Sequence, residues 1–197
     1  MDPTQRERLE RSLAAHGSGP LLQRDYWAVI RDCRISPRQF GALLAVHFAD
    51  FAPNALTRFE RMGPRMDQPL RVGDELRVHI RMAGTFRVRV LHLDDNSITL
   101  CTLHGHPEAG RITFGAYRNR RGDVVFHIRS RARSGSSKYL AGFVALGEPM
   151  QTMTWTDYVD QLAHSVGRGV LGRIHEETRV LDETDDENVP TYLARGD

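Results

Sequence analysis

The middle of the chain alternates polar and apolar residues with the two-residue period of β-strands. The alternation runs without interruption through Glu75–Met82 and Phe86–Val90, and each run predicts a strand with one buried face. Three more strands follow, over residues 98–103, 111–117 and 124–129. Turn residues recur roughly every ten positions, which predicts a meander of about five antiparallel strands.

Helical spacing of apolar residues appears on both sides of this meander. Ser36 and Pro37 predict a helix start, because serine is a good N-cap and proline suits the first helical position. Three further helices are predicted, over Asn54–Met62, Ser137–Leu146 and Gln151–Val166. A strand rich in aromatic and β-branched residues, Asp25–Asp32, precedes all of them.

This order of elements resembles the helix-grip arrangement, an α+β fold in which a curved antiparallel sheet wraps around a long C-terminal helix. A chain of 197 residues suits one such domain with tails. The predicted organisation is an N-terminal arm over residues 1–20, a helix-grip-like domain over 21–172 and an acidic, solvated tail over 173–197. The alternating strands predict an apolar interior, which the same pattern would give as a cavity or as a solid core.

Composition narrows the functional classes. The net charge of +2 is too small to indicate nucleic-acid binding by itself. Lys138 is the only lysine, a bias more typical of a GC-rich bacterial genome than of arginine chemistry. Cys33 and Cys101 match no metal-binding spacing, so we expect reduced thiols, no metal and no cofactor. No apolar run approaches the ~20 residues of a membrane span, and the first residues lack a signal-peptide core, so a cytoplasmic location is expected.

The sequence His-Gly-His-Pro-Glu at residues 104–108 carries the most distinctive candidate chemistry. At strand spacing, His104, His106 and Glu108 would point the same way and could bind a metal or pass a proton. Gly105 and Pro107 instead favour a turn. The alternatives, in order of preference, are a hairpin corner with local hydrogen bonds, a ligand contact at one mouth of the interior, and a metal site.

The stretch from His104 to Ile128 resembles an uncharacterised family of bacterial and plant proteins called domain of unknown function nineteen-ninety. Its most specific element is the sequence Gly-His-Pro-Glu-x-Gly at residues 105–110, and a looser likeness extends from about Leu21 to His164. Members usually have acidic residues directly after this motif, where this chain has Arg111 and Ile112. The predicted elements are similar to those of the START and pollen-allergen superfamily, which implies a carrier of hydrophobic ligands.

We therefore expect a binding protein for an apolar or amphipathic small molecule, such as a lipid. Large apolar side chains on the last helix either pack in the core or line a ligand pocket, and aromatic residues of the first strand are similar candidates. The predicted ligand-binding residues are His104, His106, Glu108, Trp155, Tyr158 and Trp27.

Two alternative functions remain open. One is a hydrolase or cyclase with His106 and Glu108 as acid and base, although no catalytic residue is assigned and enzymatic activity stays undecided. The other is a nucleic-acid or acidic-lipid binder that uses the arginine-rich faces of the strands at 75–82 and 86–90. A solvated sheet face explains these arginines better, because few aromatic residues lie among them. The pattern predicts no oligomeric state.

Overall fold

An antiparallel eight-stranded sheet and a long helix make up the computed structural model, which describes residues 11–53, 55–64, 67–135 and 148–182. The strands are β1 (Ser18–Ile30), β2 (Thr57–Arg61), β3 (Glu75–Ile80), β4 (Gly84–Leu93), β5 (Ser97–Thr102), β6 (Glu108–Arg118), β7 (Val124–Ser134) and β8 (Val170–Leu181). The helices are α1 (Phe40–His47) and α2 (Glu148–Val166), and 3-10 turns lie at Ala14–His16 and Pro37–Gln39. The spatial order of the described strands is β2-β3-β4-β5-β6-β7-β1-β8.

The predicted meander is confirmed as β3 to β7, in which each strand pairs with the next one along the chain. Leu76 and Val78 of β3 are buried, and Arg77 between them is exposed. This alternation gives the sheet an inner face, which packs against α2, and an outer face. The curved antiparallel sheet and the C-terminal helix confirm the predicted helix-grip class of fold.

The predicted helix start at Ser36 and Pro37 is also confirmed. Pro37 opens a 3-10 turn that continues directly into α1. Ser36 and Gln39 form a reciprocal cap, in which the Ser36 backbone amide donates to Gln39 Oε1 over 2.9 Å. Such caps satisfy amide groups that the first turn of a helix leaves without partners.

The helix predicted over Asn54–Met62 is wrong, because Thr57–Arg61 is strand β2. Five residues are too few to separate a helical period from an alternating one, and pairing decides the outcome: Phe59 lies opposite Val78 of β3. The helix predicted over Ser137–Leu146 lies outside the described residues.

The chain after Gly172 differs from the predicted solvated tail. Residues 173–181 belong to β8, which pairs with β1 and places Glu176 opposite Tyr26 and Arg179 opposite Gln23. Its acidic and basic side chains suit an edge strand, whose outward side chains meet water. At the other end of the domain, β1 begins at Ser18. The predicted boundaries at residues 20 and 172 therefore fall inside strands.

Aromatic packing fills the interior around the C-terminal half of α2. Tyr158 and Leu162 are fully buried against the inner face of the sheet. The ring of Phe48, which follows α1, lies 4.9 Å from that of Phe114 and 5.7 Å from that of Tyr158, measured between centroids. This part of the interior is a solid core of aromatic contacts.

The pairing of β8 with β1 predicts slow hydrogen exchange for about half of the amides in residues 173–180, because only alternate amides of an edge strand point at its neighbour. Backbone amides that bond across a ladder exchange only when the strand opens, whereas amides of a solvated tail exchange freely. Deuterium exchange with mass spectrometry on peptides from this segment measures the difference. Exchange as fast as that of an unstructured peptide would contradict the strand.

Candidate functional site

A cavity of about 440 Å³ lies between the N-terminal half of α2 and the inner face of strands β2 to β7. Most of its wall is apolar, and the principal apolar contributors are Phe59, Val78, Ile80, Phe86, Val88, Leu100, Ile112, Phe114, Met150 and Trp155. The interior therefore contains both a solid core and a cavity, at opposite halves of the same helix.

The cavity opens beside the turn between β3 and β4. Arg81, Met82 and Ala83 belong to its lining and are exposed to solvent. Met82 is 88% exposed and has a φ of +67°, an uncommon conformation for a residue with a side chain. An apolar side chain of this kind at a pocket opening is flexible enough to adapt to an entering molecule.

The second side of the cavity is formed by the turn that contains the Gly-His-Pro-Glu motif. Gly105 has a φ of +91°, which glycine adopts without strain. Gly110 lies so close to β7 that a Cβ there would collide with the backbone of Arg131 and Ala132. Between these glycines, His106, Pro107 and Glu108 line the cavity, so both a turn and a cavity wall come from this motif.

A buried ion pair supports the cavity wall at Glu108. Arg24 of β1 extends along the inner face, and its Nη1 atom lies 3.1 Å from Glu108 Oε1. The side chains of Arg24 and Glu108 are only 2% and 13% exposed. Burial raises the pKa of the Glu108 carboxyl, and this effect is opposed by the charge of Arg24 and by a hydrogen bond from Gln151. Glu108 is thus a wall group whose charge already has a partner.

His106 presents a neutral imidazole to the cavity. Burial lowers its pKa to about 4, so the ring carries no charge at neutral pH. The backbone amide of Glu108 donates to His106 Nδ1 over 3.0 Å. Nδ1 also lies 3.1 Å from the Glu108 backbone oxygen, a contact that would be a hydrogen bond only in the other tautomer. We assign the ring proton to Nε2, at the edge away from the turn, because a proton on Nδ1 would collide with the amide hydrogen that points at the same atom. The centroid of the His106 ring is 5.2 Å from that of Phe86, another lining residue.

Three of the six predicted ligand-binding residues line the cavity: His106, Glu108 and Trp155. His104 is exposed and lies outside the lining. The alternation expected of a strand does not apply across the turn, and so the structure does not bring His104 together with the other two side chains.

Tyr158 and Trp27 also lie away from the cavity. The Tyr158 hydroxyl donates to the backbone oxygen of Phe48 over 3.0 Å inside the aromatic core. Trp27 is on the outer face of β1, where its ring stacks on His175 with centroids 5.1 Å apart. Both positions follow from strand and helix geometry: Tyr158 is nearly one turn beyond Trp155, and Trp27 follows the inward-facing Tyr26.

Arg24 and Gln151 are polar residues that the sequence interpretation missed. Arg24 lies in a strand that is buried on both faces, so no alternation distinguishes its inward position. The signal for Gln151 is its helical spacing from Trp155, which places both on the same face of α2. Neither residue stands near the motif in the sequence, although both contact Glu108.

The outer face has a separate polar network centred on Asp25. His127 Nε2 and Arg129 Nε lie 2.7 Å and 2.6 Å from Asp25 Oδ1, and the Gln23 amide donates to Oδ2 over 2.8 Å. Burial alone would raise the pKa of Asp25, but the hydrogen bonds from His127 and Arg129 lower it to about 2. This network holds β1 to β7 and does not reach the cavity.

No group of three or more potential metal-ligating side chains lies close together within the described ranges. No helix in the same part of the chain is long and apolar enough to cross a membrane.

Solved structures with the same helix-grip class of fold include ginseng major latex-like protein 151 from Panax ginseng, at 12% identity and a TM-score of 0.52, covering 75% of this chain and 99% of that one. Norcoclaurine synthase from Thalictrum flavum, solved with dopamine and hydroxybenzaldehyde, shares 12% identity with a TM-score of 0.51, covering 76% and 92%. A hypothetical protein from Helicobacter pylori shares 9% identity with a TM-score of 0.51, covering 72% and 86%. At these identities the likeness shows the fold alone.

The chain belongs to the DUF1990 family, a domain of unknown function whose sequence profile matches residues 51–165. The predicted family is thereby confirmed. No curated protein sequence matches the chain significantly.

The buried pair predicts strong coupling between Arg24 and Glu108. Arg24→Met leaves the Glu108 carboxyl buried without its cation and should lower the free energy of unfolding by about 3–5 kcal/mol. The double variant Arg24→Met/Glu108→Leu should lose much less, because both charges are gone. Urea unfolding of the four proteins in this cycle measures the coupling, and additive effects of the two substitutions would contradict it.

The neutral state of His106 predicts a loss of stability in mild acid. The unfolded histidine takes up a proton near its ordinary pKa of 6.5, whereas the folded one resists protonation until about pH 4. The stabilisation is complete above pH 6.5 and is lost as the pH falls towards 4.

His106→Asn tests this dependence, because its side-chain oxygen can replace Nδ1 as the acceptor for the Glu108 amide while the residue does not titrate. Thermal unfolding across this pH range should show a smaller decrease in Tm for the variant than for the parent. Parallel curves for the two proteins would show that His106 does not contribute.

Proposed function

We propose that this protein binds an apolar or amphipathic small molecule in the cavity beneath the N-terminal half of α2. The observation that carries the proposal is the cavity itself: about 440 Å³, walled mainly by aliphatic and aromatic side chains, with a few polar groups on one side. Ligand sites in proteins usually combine these two features, since apolar area contributes affinity and the polar groups fix orientation.

The arrangement of the polar groups supports ligand binding over simple packing. His106, Glu108 and Gln151 all belong to the lining of the cavity. A protein interior that only needs to be filled is close-packed and leaves few voids larger than a water molecule. Here a few polar side chains face a space many times larger than that, and the lining includes the exposed β3–β4 turn.

A catalytic role for His106 and Glu108 is the second candidate, because both side chains line the same cavity. Their electrostatics favour binding. A general acid or base is most effective when its pKa lies near the working pH, but burial lowers the pKa of His106 to about 4. Glu108 is held by Arg24 at 3.1 Å. At neutral pH His106 is an uncharged hydrogen-bonding group, and the carboxyl group of Glu108 already has Arg24 as its partner.

A bound molecule should be detectable directly. Native mass spectrometry of freshly purified protein is expected to show a mass above that of the chain, which disappears under denaturing conditions. If no adduct is found, binding of N-phenyl-1-naphthylamine, an uncharged fluorescent probe, tests the empty cavity. Absence of both an adduct and probe binding would contradict the proposed function.

Filling the cavity should weaken probe binding. Val78 lines the cavity and is buried, so Val78→Phe places extra ring atoms in the ligand space. We expect about a tenfold loss of affinity for N-phenyl-1-naphthylamine, because losing apolar contacts equivalent to about two methylene groups costs about 1.4–1.6 kcal/mol.

Val72→Phe is the matched control. Val72 is 61% exposed and lies outside the lining, so the same substitution there should leave the affinity unchanged. Fluorescence titration of the parent and both variants gives the comparison, with circular dichroism to confirm that each is folded. Equal affinities for all three would place the probe outside the cavity.

A further inference from the structure

We infer that the cavity selects an uncharged ligand: a compact apolar skeleton that carries a hydroxyl or carbonyl oxygen, which accepts a hydrogen bond from His106. This inference rests on the proposed binding function and specifies its ligand class. It follows from the unused hydrogen-bonding capacity of the cavity wall, from the charge of that wall and from the volume of the cavity.

The His106 Nε2–H is an available donor. In the tautomer assigned above, Nδ1 accepts a hydrogen bond from the Glu108 amide and the single ring proton is on Nε2. No residue in the described part of the chain accepts a hydrogen bond from Nε2. A purely apolar ligand that seals this group from water would leave a buried donor unsatisfied, at a cost of about 1–3 kcal/mol. A ligand oxygen removes that cost.

The charges of the wall cancel each other. Glu108 faces the cavity, and Arg24 neutralises it from behind at 3.1 Å. A ligand carboxylate would meet the Glu108 carboxylate without a free cation beside it. A ligand ammonium would have to compete with Arg24 for Glu108. Either ion would lose its hydration on entering the cavity without gaining equivalent interactions from the wall. That loss costs several kcal/mol in protein interiors.

Two other arginines in the lining do not alter this balance. Arg81 lies in the exposed β3–β4 turn, where water and salt screen its charge. Ile112 packs against the core on the inner face, and the preceding residue of the strand, Arg111, therefore points to the outer face. Arg111 lies there opposite Arg131 of β7. Among the residues that the structure describes, the inner wall therefore offers an anion no buried cation except Arg24, which is already paired with Glu108.

The volume sets an approximate ligand size. At the packing density of protein interiors, 440 Å³ accommodates roughly 15–20 non-hydrogen atoms. Three fused aromatic rings with one substituent fall within that range. The flat aromatic walls from Phe59, Phe86 and Trp155 suit such a shape.

Four probes with one anthracene ring system test the ligand class: 9-methylanthracene, 9-anthracenemethanol, 9-anthracenecarboxylate and 9-anthracenemethylammonium. Fluorescence titrations at about pH 7 give the dissociation constants. We expect the alcohol to bind about tenfold or more tightly than either ion, and about fivefold to tenfold more tightly than the methyl compound, because only the alcohol accepts from His106.

His106→Asn isolates the hydrogen bond. It keeps an acceptor for the Glu108 amide and removes the Nε2–H, so the ratio between the affinities of the alcohol and the methyl compound should fall towards one. Should this variant fail to fold, His106→Ala removes the ring donor without introducing a new one, and the probe series on the unmodified protein still decides the role of charge.

Each outcome discriminates. An ion that binds as tightly as the alcohol, a methyl compound that equals the alcohol, or an equal loss of both in the His106 variants overturns the inference. If N-phenyl-1-naphthylamine binds and none of the four anthracenes does, the inferred ligand class is wrong while the binding function stands. If none of the five probes binds and no co-purified adduct is found, the binding function itself fails.

Discussion

The buried pair of Arg24 and Glu108 is the interaction on which the cavity depends. The two residues belong to β1 and β6, which both flank β7, so the arginine side chain extends across the inner face of an intervening strand. An ion pair at this depth repays its desolvation only when its geometry is well defined. It therefore fixes the start of β6 relative to β1, and with it the turn that holds His106. The same pair supplies polarity without net charge to an interior that is otherwise apolar.

The cavity exists because the two halves of α2 carry different side chains. Towards the C-terminus, Tyr158 and Leu162 meet the large rings of Phe48, Phe114 and Phe126, and this region is filled. Towards the N-terminus, the inward residues include Thr154 and Gln151, which are smaller or polar. The Thr154 hydroxyl lies 3.4 Å from that of Thr57 on β2, so a polar contact closes the helix against the sheet where an aromatic ring would fill the space. The packed aromatic core thus stabilises the fold, although the other half of the interior is not filled by side chains.

How far the sequence predicts this structure depends on what each segment buries. Strands β3 to β7 have a buried and a more polar face along much of their length, and their period identifies them. Strand β2 is too short to show a period, and β1 is buried on both faces, so the inward position of Arg24 has no signature. The sequence of β8 has the polar pattern of a solvated tail because most of its side chains are exposed, and only its pairing with β1 identifies it as a strand. At the site, the Gly-His-Pro-Glu motif predicted His106 and Glu108, which line the cavity. To predict that His104, Trp27 and Tyr158 lie outside the lining, the directions of the turn, the strand and the helix would have to be known. Partners distant in sequence, such as Arg24 and Gln151, cannot be derived from local pattern.

The two faces of the sheet use charge in opposite ways. On the outer face the arginines alternate with acceptors: Arg89 lies 2.5 Å from Glu75, Arg77 lies 3.6 Å from Glu60, and Arg129 lies 2.6 Å from Asp25. A surface that pairs its cations in this manner produces a weaker field than its arginine content suggests, and a strong positive field is what draws nucleic acids and acidic lipids. On the inner face of the described part of the sheet, the pair of Arg24 and Glu108 is buried, and most of the surrounding wall is apolar. The outer charges thus serve to join strands, whereas the inner pair shapes a neutral polar surface inside the cavity, which is the more specific use of charge in this protein.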